Sequence, residues 1–480
     1  MFRDTGVRQE RKNRGASSEG PNCIVFDAGR THAKVSVVTP AGQVLAERRM
    51  ATPTYQTALY TAIDTDLIFD WLLLQLKALS SFDIDRIIPV AHGAACAFLD
   101  ENRVLVQPVQ DYESPIPPVF AAAYARARPA FGETLSPALP KGLNLGAQIF
   151  WHARRDPQMF NRVRWILPYP QYWAWRLSGA LTSEITSLGC HSDLWSPAWG
   201  DFSSLTHNEN WTPRFARLSK AWEAAGALHP HLARATGLPA GTRVCVGLHD
   251  SGAALASLLG GWQTDTTLPA LLSTGTWFIA MAPGAPLQAL QAERDCMGAV
   301  DVFGHAVPCS RFMGGRAFEL ITRGQSEPDI RPETLVSVMR QSALALPSFL
   351  DAGGPYPNLR GEIRGLETDT PATRTALGTL YQALLSVTCL GMIQSGRTLL
   401  VEGVAASNPV LCGLIAALHN GPVLCNPASS GVTQGAAALA FLGERPMPRL
   451  THSPVQPLLA DEMQAYRQLW TAAIDESLAA

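Results

Sequence analysis

Five short stretches of this sequence carry residues suited to binding phosphate and taking a proton from a hydroxyl group. Carboxylates hold hydrated Mg²⁺ and accept protons, whereas turns rich in glycine and hydroxyl side chains surround phosphate oxygens. The five stretches are FDAGRTHAK at 26–34, AHGAACAFLD at 91–100, GLHDSGAA at 247–254, STGTW at 273–277 and EGVAASNPVL at 402–411. The elements between them decide whether they form one site.

The first stretch predicts a β-hairpin with an aspartate at its mouth. Residues 23–26 form a buried apolar run, residues 34–38 alternate as a half-exposed strand does, and Gly29 provides the turn between them. Asp27 then stands where a carboxylate could hold hydrated Mg²⁺. An aspartate that only caps its own turn is the alternative, and the hairpin alone does not exclude it.

A second hairpin is predicted around the STGT stretch. Its tip offers three hydroxyl groups and Gly275, while the turn of the first hairpin offers Gly29, Thr31 and Lys34. Backbone N–H groups in such turns can bind the phosphates of a nucleotide without a P-loop. Neither GxxxxGK[ST] nor a strand-bound GxGxxG occurs, which disfavours P-loop and Rossmann nucleotide sites. A plain polar hairpin tip is the alternative here.

The elements that position these stretches predict an α/β protein in two similar halves. Apolar residues at 68, 72, 76 and 79 recur at helical spacing and lead to a strand at 86–90. Residues 243–261 repeat the order of strand, turn and small-residue helix, and residues 399–418 repeat it again, with Asn408 and Pro409 as the predicted helix start. Asp250 lies between strand and helix, where it could project as a base or serve as the helix N-cap.

Composition indicates a globular protein with large cores. The chain has 480 residues, of which 47% are hydrophobic and 16% charged, and its net charge of −2 offers no field to attract nucleic acid or an anionic membrane. No run of eighteen apolar residues occurs. Nine cysteines without a CxxC pair indicate free thiols in a reducing cytosol. We therefore expect a cytoplasmic protein without nucleic-acid or membrane partners.

The ordered set of five stretches resembles the FGGY carbohydrate kinases, members of the superfamily that contains actin, hexokinase and the heat-shock chaperones. The resemblance covers nearly the whole chain from about residue 22, and its specificity lies in the order of the motifs. It implies two actin-like (ribonuclease H-like) domains flanking a nucleotide and sugar cleft. The implied parts are a disordered tail at 1–20, an N-terminal domain at 21–250 with a sugar-binding insert, and a C-terminal nucleotide-binding domain at 251–480.

The resemblance also implies roles for individual residues. Asp250 would be the base that deprotonates the sugar hydroxyl, and Asp27 would hold Mg²⁺. The residues implied to bind ATP and its phosphates are Gly29, Thr31, Lys34, Thr274, Gly275, Thr276, Gly315, Gly403 and Asn408. The residues implied to bind the substrate, besides Asp250, are His92, Gly93, Asp111 and His191. Asp193, in the same stretch as His191, is a further candidate.

The sequence departs from the family pattern at Asp111, which leaves the sugar open, and on the adenosine side. Asp111 falls where relatives often have Trp-x-Asp-x-Arg, but the tryptophan and arginine are missing, and Glu402 precedes Gly403 where many relatives have two glycines. The favoured function is ATP- and Mg²⁺-dependent phosphorylation of a ketose or deoxy-ketose of the rhamnulose and fuculose class, or of a polyol. The alternative is a nucleotide-regulated binding protein of the same superfamily without catalysis. The oligomeric state is open, with a homodimer as the hypothesis.

Overall fold

The computed structural model describes residues 20–260, 268–327, 329–350, 353–394, 397–426, 431–448 and 451–479. The predicted tail at 1–20 lies, apart from Gly20, outside these residues. The chain divides into two compact units. The first unit comprises Met1–Thr264, Gly298–Ala306 and Gly431–Leu450, and the second comprises Asp265–Met297, Val307–Ser430 and Thr451–Ala480.

The first unit is built on a mixed sheet. Its strands are β1 (Asn22–Ala28), β2 (His32–Val38), β3 (Val44–Ala51), β4 (Thr54–Gln56), β5 (Thr61–Ile63), β6 (Ile84–Ala91), β7 (Cys96–Leu99), β8 (Trp165–Pro168), β9 (Trp195–Ser196), β10 (Asp201–Phe202), β11 (Ala224–Ala227), β12 (Arg243–Cys245) and β13 (Leu248–His249). The main sheet has the order β11-β12-β6-β1-β2-β3, with β13 also paired to β6. Strands β4 and β5, β7 and β8, and β9 and β10 form separate pairs.

Helices surround this sheet. They are α1 (Thr65–Ala78), α2 (Pro118–Ala127), α3 (Phe131–Thr134), α4 (Leu145–Arg155), α5 (Pro157–Arg162), α6 (Tyr169–Ser178), α7 (Ile185–Leu188), α8 (Ser204–Asn208), α9 (Pro230–Thr236), α10 (Asp250–Ala256) and, from the C-terminal part of the chain, α15 (Gly431–Ala440). Helix α1 confirms the helical spacing predicted from the sequence, and Asp64 caps it by accepting a hydrogen bond from the backbone N–H of Leu67.

The aromatic segment at 111–240 contributes its own core to the first unit. Trp151, Trp173 and Trp211 are among the largest fully buried side chains of the described residues. Trp173 packs edge-on against Phe26 of β1, with ring centroids 5.2 Å apart. These rings therefore anchor the segment to the sheet that carries the first hairpin.

The first unit extends beyond the predicted boundary at 250/251, because α10 and α15 pack backbone to backbone within it. A Cβ atom on Gly435 would lie 2.0 Å from the carbonyl oxygen of Ala253 and 2.7 Å from the backbone nitrogen of Ser257. Only a glycine allows helices to approach this closely. Both helices contribute buried residues to one apolar cluster, including Ala253 and Ala436.

The second unit repeats the architecture. Its strands are β14 (Ala270–Thr274), β15 (Phe278–Met281), β16 (Cys296–Val300), β17 (Ala306–Phe312), β18 (Leu344–Leu346), β19 (Glu362–Arg364), β20 (Leu399–Gly403), β21 (Val423–Cys425) and β22 (Ser453–Pro454). The last three residues of β16 and the first residue of β17 belong to the first unit. Its helices are α11 (Gly314–Thr322), α12 (Pro332–Arg340), α13 (Pro371–Met392), α14 (Pro409–Leu418) and α16 (Ala460–Ala479). The main sheet has the order β16-β17-β15-β14-β20-β21-β22.

The two sheets share the pattern that the sequence predicted. In the first, β1 pairs antiparallel with β2 and parallel with β6. In the second, β14 pairs antiparallel with β15 and parallel with β20. Each unit therefore presents a hairpin whose first strand lies beside a later parallel strand, and the prediction of two similar α/β halves is confirmed.

Helix α13 forms the centre of the second unit. It begins with a capping box in which the side chains of Thr370 and Thr373 bond each other's backbone N–H groups. By length and composition it is the one helix among the described residues that could cross a membrane, yet 83% of its most apolar window is buried inside the protein. Leu377, Leu380 and Leu384 belong to the main apolar cluster of the unit. Its environment is therefore that of a core helix.

Candidate active site

Three parallel strands of the first unit bring predicted site residues to one sheet edge. In the sheet register Asp27 lies beside Val90, while Ala91 pairs with Ala28 on one side and with His249 on the other. The carboxyl ends of β1, β6 and β13 therefore meet, and the residues that follow are Gly29, His92 and Asp250. In open α/β sheets ligands bind in the crevice outside such carboxyl ends.

Asp27 has the electrostatics of a cation ligand. It lies inside β1 rather than beyond its end, paired across the hairpin with Lys34, whose Nζ is 3.7 Å from Asp27 Oδ2. Burial and, to a smaller extent, the charge of Asp250 raise the pKa of Asp27 to about 6 against the lowering effect of Lys34. A nearby divalent cation would relieve this unfavourable charge, so the residues present fit Mg²⁺.

The turn of the first hairpin is fixed by its neighbours. Thr52 donates its hydroxyl to the carbonyl of Gly29 at 2.7 Å and its backbone N–H to the carbonyl of Thr31 at 2.9 Å. A Cβ on Gly29 would lie 2.8 Å from the carbonyl oxygen of His32, so a side chain would distort the turn. Thr31 is exposed at the tip. The predicted phosphate-binding turn is thus present and held in one shape.

Asp250 is the first residue of α10, with 35% of its side chain exposed. The predicted alternative that it caps the helix is wrong, since the N-cap is His249, whose Nδ1 accepts the Ser251 N–H at 3.2 Å. Asp250 Oδ1 accepts the same N–H at 2.6 Å and lies 3.3 Å from His249 Nε2. One carboxylate oxygen is therefore oriented by the protein, as a base requires.

His92 and Gly93 follow β6 at the same edge. His92 is buried, and its Nδ1 lies 2.6 Å from the carbonyl oxygen of Gly93, so Nδ1–H is the donor and Nε2 the remaining acceptor. Burial lowers the pKa of His92 to about 4, although the Gly93 hydrogen bond and the charges of Asp250 and Asp111 raise it. Its Nε2 has no protein hydrogen-bond partner among the described residues. A neutral imidazole with an unused acceptor suits a substrate hydroxyl.

Asp111 is almost fully buried and bound to an arginine that the sequence did not connect with it. Arg30 binds Asp111 at two points: its Nε donates to Oδ1 at 2.9 Å and its Nη2 donates to Oδ2 at 2.7 Å. Asp111 Oδ1 also accepts the backbone N–H of Glu113 at 3.0 Å. Asp111 is therefore paired with an arginine from the turn of the first hairpin, which its local motif does not supply.

His191 joins the same edge, whereas Asp193 does not. A Cβ on Gly93 would lie 2.7 Å from His249 Nε2 and 3.1 Å from His191 Nε2, so both rings lie beside Gly93. Asp193, a neighbouring candidate in the sequence, is fully engaged in the interior: Arg128 donates to it at 2.9 Å and the hydroxyl of Tyr124 at 2.6 Å. Asp193 is thus a structural ion-pair residue.

In the second unit the predicted tip lies between β14 and β15. Gly275 N–H donates to the carbonyl of Trp277 at 2.9 Å, closing a tight turn, and Thr276 is exposed. The hydroxyl of Thr274 is already used, because it donates to the carbonyl of Glu402 and accepts the N–H of Ala405 at 2.9 Å. A role for Thr274 in phosphate binding would therefore have to come from its backbone.

Gly315 places the start of α11 against this tip. A Cβ on Gly315 would lie 2.6 Å from the carbonyl oxygen of Gly275 and 3.4 Å from the Cα of Thr276. Helix α11 has nine residues and no side-chain cap at its N-terminus. Its first backbone N–H groups are therefore available beside the tip, an arrangement that favours phosphate.

Gly403 and Asn408 stabilise the same region. Asn408 caps α14 by accepting the N–H of Leu411 at 3.0 Å, as predicted. Gly403 has φ 80° and ψ −150°, a conformation that is essentially restricted to glycine, and a Cβ there would lie 2.0 Å from the carbonyl oxygen of Thr274. These contacts explain both residues without a nucleotide; a nucleotide role for them stays a proposal.

We expect Gly403→Ala to destabilise the protein by more than about 3 kcal/mol, because it combines backbone strain with a clash against Thr274. The matched control is Gly284→Ala in the same unit, where φ is +71° but no atom lies within 4 Å of the added Cβ. Calorimetry should show a much larger fall in unfolding temperature for Gly403→Ala. Equal shifts for the two variants would show that the contact with Thr274 is unimportant.

Comparisons with known proteins agree with this architecture. The family description "Carbohydrate kinase FGGY, C-terminal domain" matches residues 267–448. The chain is 27% identical over 277 residues to L-fuculokinase of Escherichia coli strain K12 and 27% identical over 268 residues to L-fuculokinase of Salmonella typhi. These matches cover 55% and 54% of this chain and 56% of each relative, so the chain spans about half the length of the curated relatives it matches.

Solved structures match along nearly the whole chain. A carbohydrate kinase from Novosphingobium aromaticivorans is 36% identical, with a TM-score of 0.83 over 96% of this chain and 99% of that one. A xylulose kinase from Lactobacillus acidophilus has a TM-score of 0.80 over 96% and 99% of the two chains, but its identity of 16% supports the fold alone. With the two α/β units described above, these likenesses confirm the predicted family: the chain belongs to the FGGY carbohydrate kinases.

Proposed function

We propose that this protein transfers the γ-phosphoryl group of ATP to a hydroxyl group of a small sugar, a ketose or deoxy-ketose of the fuculose and rhamnulose class or a related polyol. Membership of the family supports carbohydrate phosphorylation, and the likeness to two L-fuculokinases supports the deoxy-ketose class. The free state of all nine cysteines supports the proposed cytoplasmic location.

The observation that carries this proposal is the meeting of Asp250 and His92 at one sheet edge. Asp250 is partly exposed and has one oxygen oriented by Ser251, whereas the buried His92 has an unused acceptor. Asp111 contributes to the electrostatic environment of the same histidine. A carboxylate beside an unsatisfied acceptor is what binding and deprotonating a polyhydroxy substrate requires.

Phosphoryl transfer needs an acceptor oxygen in line with the γ-phosphate and a group to take its proton. Asp250 would accept the proton of the reacting hydroxyl as its oxygen attacks phosphorus and the bond to ADP breaks. His92 Nε2 would accept a hydrogen bond from a second hydroxyl and thereby orient the sugar. His249, 3.3 Å from Asp250 Oδ1, would hold the carboxylate in position.

Mg²⁺ would be held by Asp27 and would neutralise negative charge on the phosphates when bound. Lys34, next to Asp27, adds positive charge, and the turn with Gly29 and Thr31 offers backbone and hydroxyl donors. In the second unit the backbone of Gly275 and Thr276 and the start of α11 at Gly315 would bind phosphate oxygens, with Gly403 and Asn408 on the adenosine side.

Sugar-dependent release of ADP tests this function. The purified protein is mixed with ATP and Mg²⁺ and with one member at a time of a panel of ketoses, aldoses and polyols that includes L-fuculose and L-rhamnulose. We expect turnover with a deoxy-ketose and little ADP without sugar. Asp250→Asn in the same assay controls for a contaminating kinase. ADP release that no sugar changes would contradict the proposal.

A further inference from the structure

Three potential metal ligands lie together beside Asp250. The sulfur of Cys190 and ring nitrogens of His191 and His249 all lie within 4.8 Å of one another, and all three residues are more than nine-tenths buried. They come from the loop after α7 and from the end of β13. The sequence showed no metal-ligand spacing, because 57 residues lie between the two histidines.

Hydrogen bonds around the cluster determine which histidine nitrogen atoms carry a lone pair for a metal ion. His191 Nδ1 lies 2.8 Å from the carbonyl oxygen of Leu143, so Nδ1 carries the proton and Nε2 keeps its lone pair. This outer contact is the kind that orients metal-binding histidines. Gly93, without a side chain, leaves room beside the Nε2 atoms of both histidines.

His249 can also present Nε2 as a ligand if its ring changes tautomer. Its Nδ1 accepts the Ser251 N–H at 3.2 Å, but the same N–H has a shorter bond of 2.6 Å to Asp250 Oδ1. If the His249 ring turns or moves its proton to Nδ1, Asp250 Oδ1 therefore remains as an acceptor for the Ser251 N–H at the start of α10.

We propose that Cys190, His191 and His249 form a binding site for a soft divalent cation of the Zn²⁺ class. One thiolate and two imidazoles suit Zn²⁺, and three protein ligands leave its fourth position open. Tetrahedral coordination needs ligand atoms about 3.3–3.7 Å apart, so the widest pair of the cluster has to approach by at most about 1.5 Å. Binding replaces the proton of the Cys190 thiol, which is released to solvent.

This site is chemically distinct from the proposed Mg²⁺ position at Asp27, because hard Mg²⁺ prefers oxygen ligands. A cation held here would lie beside His249 and hence beside Asp250. If the proposed kinase function is correct, this position has a consequence for activity. We infer that Zn²⁺ inhibits the enzyme in competition with the sugar and without competing with ATP. The cluster would then couple sugar phosphorylation to the availability of soft metal ions.

Cobalt spectroscopy tests the site independently of activity. Co²⁺ added to the purified full chain should bind one to one and give the near-ultraviolet charge-transfer band of a cobalt–thiolate bond, which Zn²⁺ should remove. Cys190→Ser should abolish the band and lower affinity by more than about 100-fold, beyond the usual effect of losing an outer-shell partner. Cys425→Ser, which removes a partly exposed thiol elsewhere, is the matched control and should retain the band.

His191→Asn provides a second variant that keeps the thiol. It should retain a charge-transfer band but bind Co²⁺ with much weaker affinity. If Cys190→Ser does not fold, this variant still tests the site. Absence of the band in the wild type, or equal binding by wild type and His191→Asn, would overturn the metal site whatever the sugar assay shows. Conversely, a protein that binds Co²⁺ as expected but phosphorylates no sugar would keep the site and lose the kinase proposal.

Discussion

Asp250→Asn is expected to lower kcat by a factor on the order of 10² to 10⁴, the usual contribution of a positioned general base. Asparagine has nearly the shape of aspartate, and its side-chain oxygen can still accept the Ser251 N–H that Asp250 Oδ1 accepts at 2.6 Å. It cannot take up the proton of the sugar hydroxyl. Steady-state kinetics with the best sugar of the panel should therefore show a large loss in kcat with a small change in KM for ATP.

A matched variant controls for the loss of a carboxylate at a helix start. Asp64→Asn makes the same chemical change at the start of α1, where the carboxylate accepts the Leu67 N–H at 3.0 Å, and should leave kcat unchanged. Calorimetry on both variants checks that neither is unfolded. A folded Asp250→Asn variant with wild-type turnover would remove Asp250 from the mechanism, although the family assignment would stand.

Local motifs predicted most of what depends on neighbouring residues. The hairpin of β1 and β2, the helical spacing of α1 and the capping of α14 by Asn408 are decided within a few residues, so the sequence contained their signals. The strand carrying Asp27 extends two residues beyond the apolar run, because Asp27 is still paired with Lys34. Strand ends are set by pairing partners, which the run of apolar residues does not reveal.

Contacts between residues far apart in the sequence could not be predicted from local motifs. Arg30 and Asp111 are 81 residues apart, and nothing in either local pattern predicts their two-point ion pair. The same is true of Thr186, whose hydroxyl accepts the backbone N–H of His249 at 3.1 Å and so helps to place the residue before Asp250. For such residues the sequence offered one indication only: an arginine or a hydroxyl residue with no evident partner among its sequence neighbours.

Polar residues near the predicted site also proved to have different tasks. Asp111 and Asp193 are equally buried carboxylates, and an arginine binds each of them. Of the two, only Asp111 contributes to the pKa shift of His92. Thr274 lies in the predicted phosphate-binding tip, but its hydroxyl joins the hairpin to β20 through Glu402 and Ala405. Residue type and order therefore predicted which residues gather at one sheet edge, and only the packing showed which of the predicted residues are held in structural contacts.

Asp27→Asn is expected to stabilise the ligand-free protein above about pH 6 while it weakens Mg²⁺-dependent activity. The folded pKa of Asp27 is about 6, above its ordinary value of 3.8, because of burial. The folded state thus binds more protons than the unfolded state between these values, so stability falls as pH rises through this window. A shift of about two units corresponds to about 3 kcal/mol at full ionisation, and replacing the carboxylate removes that cost.

Unfolding temperatures of wild type and Asp27→Asn at pH 4 and pH 8 measure this effect. We expect similar values at pH 4, a higher value for the variant at pH 8, and a smaller gain on adding ATP with Mg²⁺, because the carboxylate that would hold the metal is gone. Asp64→Asn, whose carboxylate lies at a helix start in the same unit, should show no such gain at pH 8. If Asp27→Asn were destabilising at pH 8 and still responded normally to Mg²⁺ and ATP, Asp27 would be a structural partner of Lys34 and would not be the magnesium ligand.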